Sequence, residues 1–140
     1  MNIGRKIIFP AIFLFTLVYF GDMNHAKAQS ISDDIIKAFR EGDASLLSKH
    51  FNDEVTLNIT GVEEEMSLKE AREKMDSFFR SYTVKNFYVK FRGEKSNSNF
   101  MIGTLVCSKA TYRVNIFLKT SGESNKIHLL RIEEENESSF

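Results

Sequence analysis

The sequence predicts an α+β fold in which a curved antiparallel sheet wraps around one long helix, with two short helices at the N-terminal end, giving a cone. Three observations predict it. Apolar residues recur at helical spacing in the first half of the chain, they alternate with polar residues in the second half, and turn residues separate the alternating runs. Helices that cluster early and strands that cluster late are typical of α+β domains.

Capping residues delimit the two short helices. The first is expected to begin at Ser32 or Asp33, because both side chains can accept a hydrogen bond from a free backbone N–H group. Gly42 is expected to end it. Asp43 can cap the second helix, which is expected to end at Phe51.

A strand and the long helix follow. Residues 52–53 have turn chemistry, residues 55–60 alternate as in a half-buried strand, and residues 62–66 form a short segment. Ser67 and Glu70 then make a capping box. The helix that they start carries one wide apolar stripe, formed by Leu68, Ala71, Met75, Phe78, Phe79 and Tyr82.

Four strands are expected after Tyr82. Polar, turn-like stretches at 93–99, 108–110 and 121–125 separate them. The alternation predicts that the core face of these strands includes Phe87, Val89, Phe91, Tyr112, Val114, Ile116 and Leu118. The acidic residues 133–140 are expected to form a disordered tail.

Residues 1–28 have the features of a signal peptide. Arg5 and Lys6 precede an apolar run at 7–20, and residues 26–28 read Ala-Lys-Ala, a cleavage pattern. The run is shorter than the ~20 residues that cross a bilayer. We therefore expect cleavage near Ala28, a periplasmic or secreted product, and no membrane association afterwards.

The charge of the expected mature chain excludes a class of partner. The leader holds three of the 19 basic and one of the 19 acidic residues, which leaves 16 against 18 and a net charge of −2. Without an excess of positive charge, the domain has no overall attraction for nucleic acid or anionic lipid.

The single cysteine, Cys107, rules out an internal disulfide. A reactive thiol and an intermolecular bridge are the functional interpretations. A small buried side chain in a strand is the favoured one, because free cysteine is often buried.

The order of elements resembles the nuclear-transport-factor-two-like superfamily, also called cystatin-like. Residues 38–55 carry much of the resemblance: a helix ending in Gly42-Asp43, a short helix ending in Phe51, and Asn-Asp-Glu-Val leading into a strand. The chain looks most like small exported members of unassigned function, and residues 29–132 would form the single domain. The superfamily includes isomerases, dehydratases, hydrolases and domains without chemistry, so the fold does not choose a function.

The resemblance can be tested at two positions. Ketosteroid isomerases place a general-base aspartate where this chain has Ile59, and an oxyanion-hole tyrosine where it has Ile35. Neither isoleucine can transfer a proton or donate a hydrogen bond from its side chain. Isomerase chemistry by that mechanism is therefore not expected.

Other candidate chemistry is sparse. An enzyme would have to use an unusual set of pocket residues, for which Tyr112, His128 and Asp53 are the best candidates, and His50 is expected at the edge of the core. The run at 63–65 consists of three glutamates that point to alternate faces of a strand, so no metal site is expected. No catalytic residue, metal ligand or cofactor is assigned.

The leading hypothesis is thus a non-catalytic binding or interaction module, with an isomerase, dehydratase or hydrolase as the alternative. Its many aromatic residues could line a cavity for a small apolar ligand in the cone, or fill the cone themselves. A homodimer is also expected. Phe117 should lie on the outer face of the sheet among polar residues, with Tyr88 and Arg92 on a neighbouring strand, which suits an interface.

Overall fold

The computed structural model describes residues 23–136, with side chains from residue 31 onward. The predicted signal run before residue 23 and the end of the predicted tail lie outside these residues. The α+β class and the cone are confirmed. The elements in chain order are α1 (Met23–Glu41), α2 (Ala44–Ser48), β1 (Phe51–Ile59), β2 (Val62–Ser67), α3 (Leu68–Ser81), β3 (Val84–Lys95), β4 (Ser98–Cys107), β5 (Thr111–Ser121) and β6 (Ser124–Glu134).

The caps predicted at Gly42, Asp43 and Ser67 are present. Gly42 adopts a φ of 63°, and the N–H of Asp43 donates to the carbonyl of Ala38 at 2.8 Å, a Schellman-type end to α1. The Asp43 side chain accepts from the N–H of Leu46 and caps α2. Ser67 accepts from the N–H of Glu70 at 3.3 Å and caps α3.

Several predicted boundaries are wrong. Helix α2 ends at Ser48, and Phe51, its predicted end, is the first residue of β1. Helix α1 begins at Met23, before Ser32 and Asp33, because no proline or glycine interrupts residues 23–41. The pair at 52–53 belongs to β1 although turn residues occupy it. Strand β6 continues to Glu134, so the expected tail begins inside the sheet.

The six strands form one sheet in the order β2-β1-β6-β5-β4-β3. All neighbours are antiparallel except β1 and β6, which run parallel. Strands β3 and β4 extend through most of the stretch at 93–99, leaving only Ser96 and Asn97 as a turn. Between β1 and β2, Thr60 and Gly61 both have positive φ, as a tight hairpin requires.

The helices cover one face of the sheet. Helix α3 lies against β1 and β2, and α1 lies against β3. The apolar stripe of α3 turns inward, with Ala71, Met75, Phe78 and Phe79 buried. Among the described residues, no helix is long and apolar enough to span a membrane.

Candidate functional site

Aromatic rings fill the space between the sheet and the helices. Phe39 of α1 stacks on Phe87 of β3 with 4.9 Å between ring centroids, and Phe79 of α3 meets Phe39 edge-on at 5.9 Å. Phe39 and Phe87 are fully buried and Phe79 is 8% exposed. The interior that these rings occupy offers no support for the expected apolar ligand in the cone.

Tyr112 is part of this packing. Its ring lies 5.3 Å from Phe78 and 5.5 Å from Tyr82, and its side chain is buried. Burial, with a smaller contribution from the neighbouring Tyr82, raises the pKa of Tyr112 to about 12. The hydroxyl therefore stays protonated at neutral pH.

The other two candidate catalytic residues lie in different surroundings. His128 sits at a register shift of β6, where Phe117 pairs with Leu129 and Leu118 with Ile127. Burial and Lys119 lower the pKa of His128, and its Nδ1 is buried without a partner among the described residues. Asp53 is exposed beside α2. The structure shows no contact that joins either of them to Tyr112.

His50 does have a partner that the sequence did not indicate. Its Nε2 lies 3.2 Å from Oδ2 of Asp34, which ties the end of α2 to α1. Burial, with smaller contributions from Lys126 and Lys49, lowers the pKa of His50, although Asp34 opposes the shift. The imidazole is therefore mainly neutral at pH 7. Sixteen residues separate the pair, so no local motif could have indicated it.

At the two positions where ketosteroid isomerases carry catalytic residues, this protein has isoleucines that pack in or against the core. Ile35 is fully buried in α1, and Ile59 packs half-buried against the core. Cys107 is buried at the end of β4, and burial raises the pKa of its thiol. The favoured interpretation of Cys107 as a small buried side chain in a strand is confirmed by this position.

The glutamates of β2 behave as predicted. Glu64 meets Lys74 of α3 at 2.8 Å, whereas Glu63 points to the other face and lies 3.5 Å from Arg131. Among the described residues, no group of three or more potential ligands could hold a metal ion.

The outer face of the sheet carries a line of aromatic side chains, called here the aromatic row: Phe91, which is exposed, and Phe100 and Phe117, which are partly exposed. The ring centroids of Phe91 and Phe100 are 5.7 Å apart, and those of Phe100 and Phe117 are 6.4 Å apart. Phe117 faces outward as predicted, because its neighbours in β5, Ile116 and Leu118, are buried.

Two residues of β3 are not where alternation placed them. A register shift between Val89 and Phe91 puts Phe91 opposite Ile102 and Arg92 opposite Met101. Phe91 is consequently 57% exposed and joins the aromatic row, whereas Arg92 pairs with a residue of the core face. Tyr88 is 50% exposed on the outer face, as expected.

A polar pair lies beside the aromatic row. Asn115 faces outward on β5 yet is only 8% exposed, and its Oδ1 accepts no hydrogen bond from a described residue. Arg131 is its cross-strand neighbour on β6, and the Nε of Arg131 is also buried without a hydrogen bond. A buried acceptor without a donor is costly, so the Oδ1 of Asn115 lowers the stability of the sheet at this position.

Comparisons with solved structures agree with this architecture. A protein of Bacteroides ovatus is 36% identical, with a TM-score of 0.72 over 74% of this chain and 94% of that one. A protein of Bacteroides uniformis is 31% identical, with a TM-score of 0.73 over 75% and 97%. A cystatin-like domain of unknown function from Nostoc punctiforme is 12% identical, with a TM-score of 0.64 over 82% and 79%. This last likeness shows the fold alone.

The family comparison identifies the domain. Both Bacteroides proteins belong to the DUF4783 family. The comparison with curated proteins gives no match. A model described as "Domain of unknown function (DUF4783)" matches residues 32–133, most of the chain, and so the protein belongs to the DUF4783 family, on a nuclear-transport-factor-two-like fold.

Proposed function

We propose that the protein is an exported, non-catalytic interaction module that associates with a second copy of itself through the outer face of its sheet. The aromatic row is the observation that carries this proposal. Three phenylalanine rings in contact, with Ile102 and Leu129 in the adjoining register positions, form an apolar surface on the side of the sheet that the helices leave uncovered. Exposed apolar patches of this kind are typical of interaction sites.

A second copy is the partner whose surface fits this row. In a two-fold symmetric dimer the same patch of each copy meets the other, so one apolar surface supplies both sides of the interface. Polar residues surround the row, including the cross-strand neighbours Arg113 and Glu133. An apolar centre with a polar rim is the usual composition of an interface.

Replacing Phe117 with glutamate is expected to dissociate the dimer without unfolding the domain. Burying a carboxylate against the partner's apolar surface should weaken association by at least about 2 kcal/mol, as for a central interface residue. Sedimentation equilibrium at tens of micromolar checks this result. Val62→Glu is the matched control, because Val62 is 61% exposed on β2, away from the row.

A monomeric wild type at that concentration would contradict the proposal. If Phe117→Glu does not fold, Phe91→Glu decides the question, since Phe91 is more than half exposed and contacts the same ring of Phe100. A dimer that survives Phe91→Glu would place the interface elsewhere.

The position of the family match supports export with cleavage of the predicted signal peptide. The family match begins at residue 32, shortly after the expected cleavage position near Ala28. The intact mass of the exported protein is expected to correspond to a chain that begins at Gln29. A measured mass that includes residues 1–28 would contradict export by cleavage.

A further inference from the structure

A groove on another part of the molecule concentrates positive charge. It lies between α2, the first turns of α3 and the start of β6, and we call it the basic groove. Its cationic residues are Lys49, Arg72 and Lys126, and Asp53 is the one carboxylate that lines it among the described residues. Three positive charges against one negative charge leave a local excess of two, although the expected mature chain is acidic overall.

An irregularity of β1 helps to form the groove. Phe51 pairs with Ile127, but the next pair along β6 joins Thr56 to Leu129, so residues 52–55 of β1 are not paired with β6. This unpaired stretch contributes Asp53 to the wall. The groove therefore depends on a backbone feature that a regular strand would not have.

Two of the cations are held in place by neutral oxygen atoms. Nη2 of Arg72 donates to Oγ of Ser45 at 3.1 Å, and Nζ of Lys126 donates to the carbonyl of Lys49 at 3.1 Å. None of the three cations of the groove forms an ion pair with a described side chain. Other cations of the domain do lie close to carboxylates, namely Lys74, Arg80 and Arg131. The charge of the groove is thus oriented but not neutralised.

The electrostatic effect of this arrangement is visible at a neighbouring residue. Lys126 and Lys49 both contribute to lowering the pKa of His50, after burial. Their two ammonium groups therefore act on the same region of the molecule. An anion in the groove would be attracted by the same groups.

We propose that the basic groove binds a doubly charged tetrahedral oxyanion, a phosphate or sulfate group. Arg72 uses one N–H for Ser45 and keeps others for an anionic oxygen, because a guanidinium has five. Lys126 and Lys49 supply further charge. The excess of two positive charges matches a dianion, and the site is separate from the aromatic row.

The test is a nuclear magnetic resonance titration of the full mature chain with inorganic phosphate, at constant ionic strength maintained with sodium chloride. Saturable shifts are expected in α2, in the first turns of α3 and at 124–126. Arg72→Gln should weaken binding at least about tenfold, the usual consequence of losing one charge-assisted hydrogen bond. Lys74→Gln is the control, because Lys74 lies on the same helix but pairs with Glu64 outside the groove.

Each result of the titration either supports the proposed anion site or contradicts it. Shifts that do not saturate, or that occur elsewhere in the domain, would overturn the proposal. An equal loss of phosphate affinity in Lys74→Gln and Arg72→Gln would also overturn it. If Arg72→Gln does not fold, Lys126→Gln replaces it, with the same expected loss. A titration with sulfate distinguishes the two sources of the anion, since tighter binding of sulfate would assign a sulfate group and tighter binding of phosphate a phosphate group.

Discussion

Replacing Phe87 with alanine is expected to lower the free energy of unfolding by about 3–5 kcal/mol, the usual cost of removing a buried phenylalanine ring. Phe87 is fully buried, and its ring stacks on Phe39 in the layer that fills the cone. Urea denaturation followed by circular dichroism measures the loss. Val62→Ala, at an exposed position of β2, should change stability by no more than about 0.5 kcal/mol.

The same variant tests whether the cone of the natural protein is filled. Losing the ring leaves an apolar cavity, which can bind a small apolar molecule such as benzene. Benzene should raise the melting temperature of Phe87→Ala and leave that of the wild type unchanged. Equal stabilisation of both proteins would show an open cavity in the wild type and would favour the apolar-ligand function.

Replacing Gly103 with alanine is expected to destabilise the domain by about 3 kcal/mol, near the upper end of the usual cost of overpacking. A Cβ atom at this position would overlap the ring of Phe87, lying 2.6 Å from Cε2, and would lie 2.8 Å from the backbone oxygen of Tyr88. The backbone oxygen cannot move aside without disturbing the pairing of β3 with β4.

A comparison with Gly93 isolates this cause. The three atoms nearest to a Cβ at Gly93 all belong to the ring of Phe100, a side chain on the outer face that is partly exposed and has more freedom to move than a backbone oxygen. Gly93→Ala should therefore cost clearly less than Gly103→Ala in the same denaturation experiment. In a Phe87→Leu background the cost of Gly103→Ala should fall, because part of the steric conflict is gone. Equal costs in both backgrounds would contradict the steric explanation.

The parts of the fold that sequence predicts well are those governed by local interactions. Ser67 and Glu70 specify the start of α3, and Gly42 specifies the end of α1, because each acts within one helical turn. The inward face of β5 follows from alternation alone, and with it the outward position of Phe117. The interface proposal depends on the outer face of β5, and Phe117, one of the residues of the proposed interface, could be identified from the sequence alone.

The features that sequence did not predict depend on contacts between distant segments. The register shift next to Lys90 exists only in the pairing of β3 with β4, and it moves Phe91 to the outer face against the alternation pattern. The contact of His50 with Asp34 and the convergence of Arg72 with Lys126 likewise join separate elements. Both proposed sites therefore needed the three-dimensional arrangement.

The strand order has a consequence for the resistance of the protein to aggregation. A sheet of six strands has two free edges, here β2 and β3, whose unused backbone groups could pair with strands of other molecules and start a fibril. Strand β2 is short and carries Glu63, Glu64 and Glu65, so approaching edges of like charge repel each other. Strand β3 is interrupted by its register shift, which disturbs the regular edge that stacking requires. Both edges therefore disfavour the addition of a strand from another molecule.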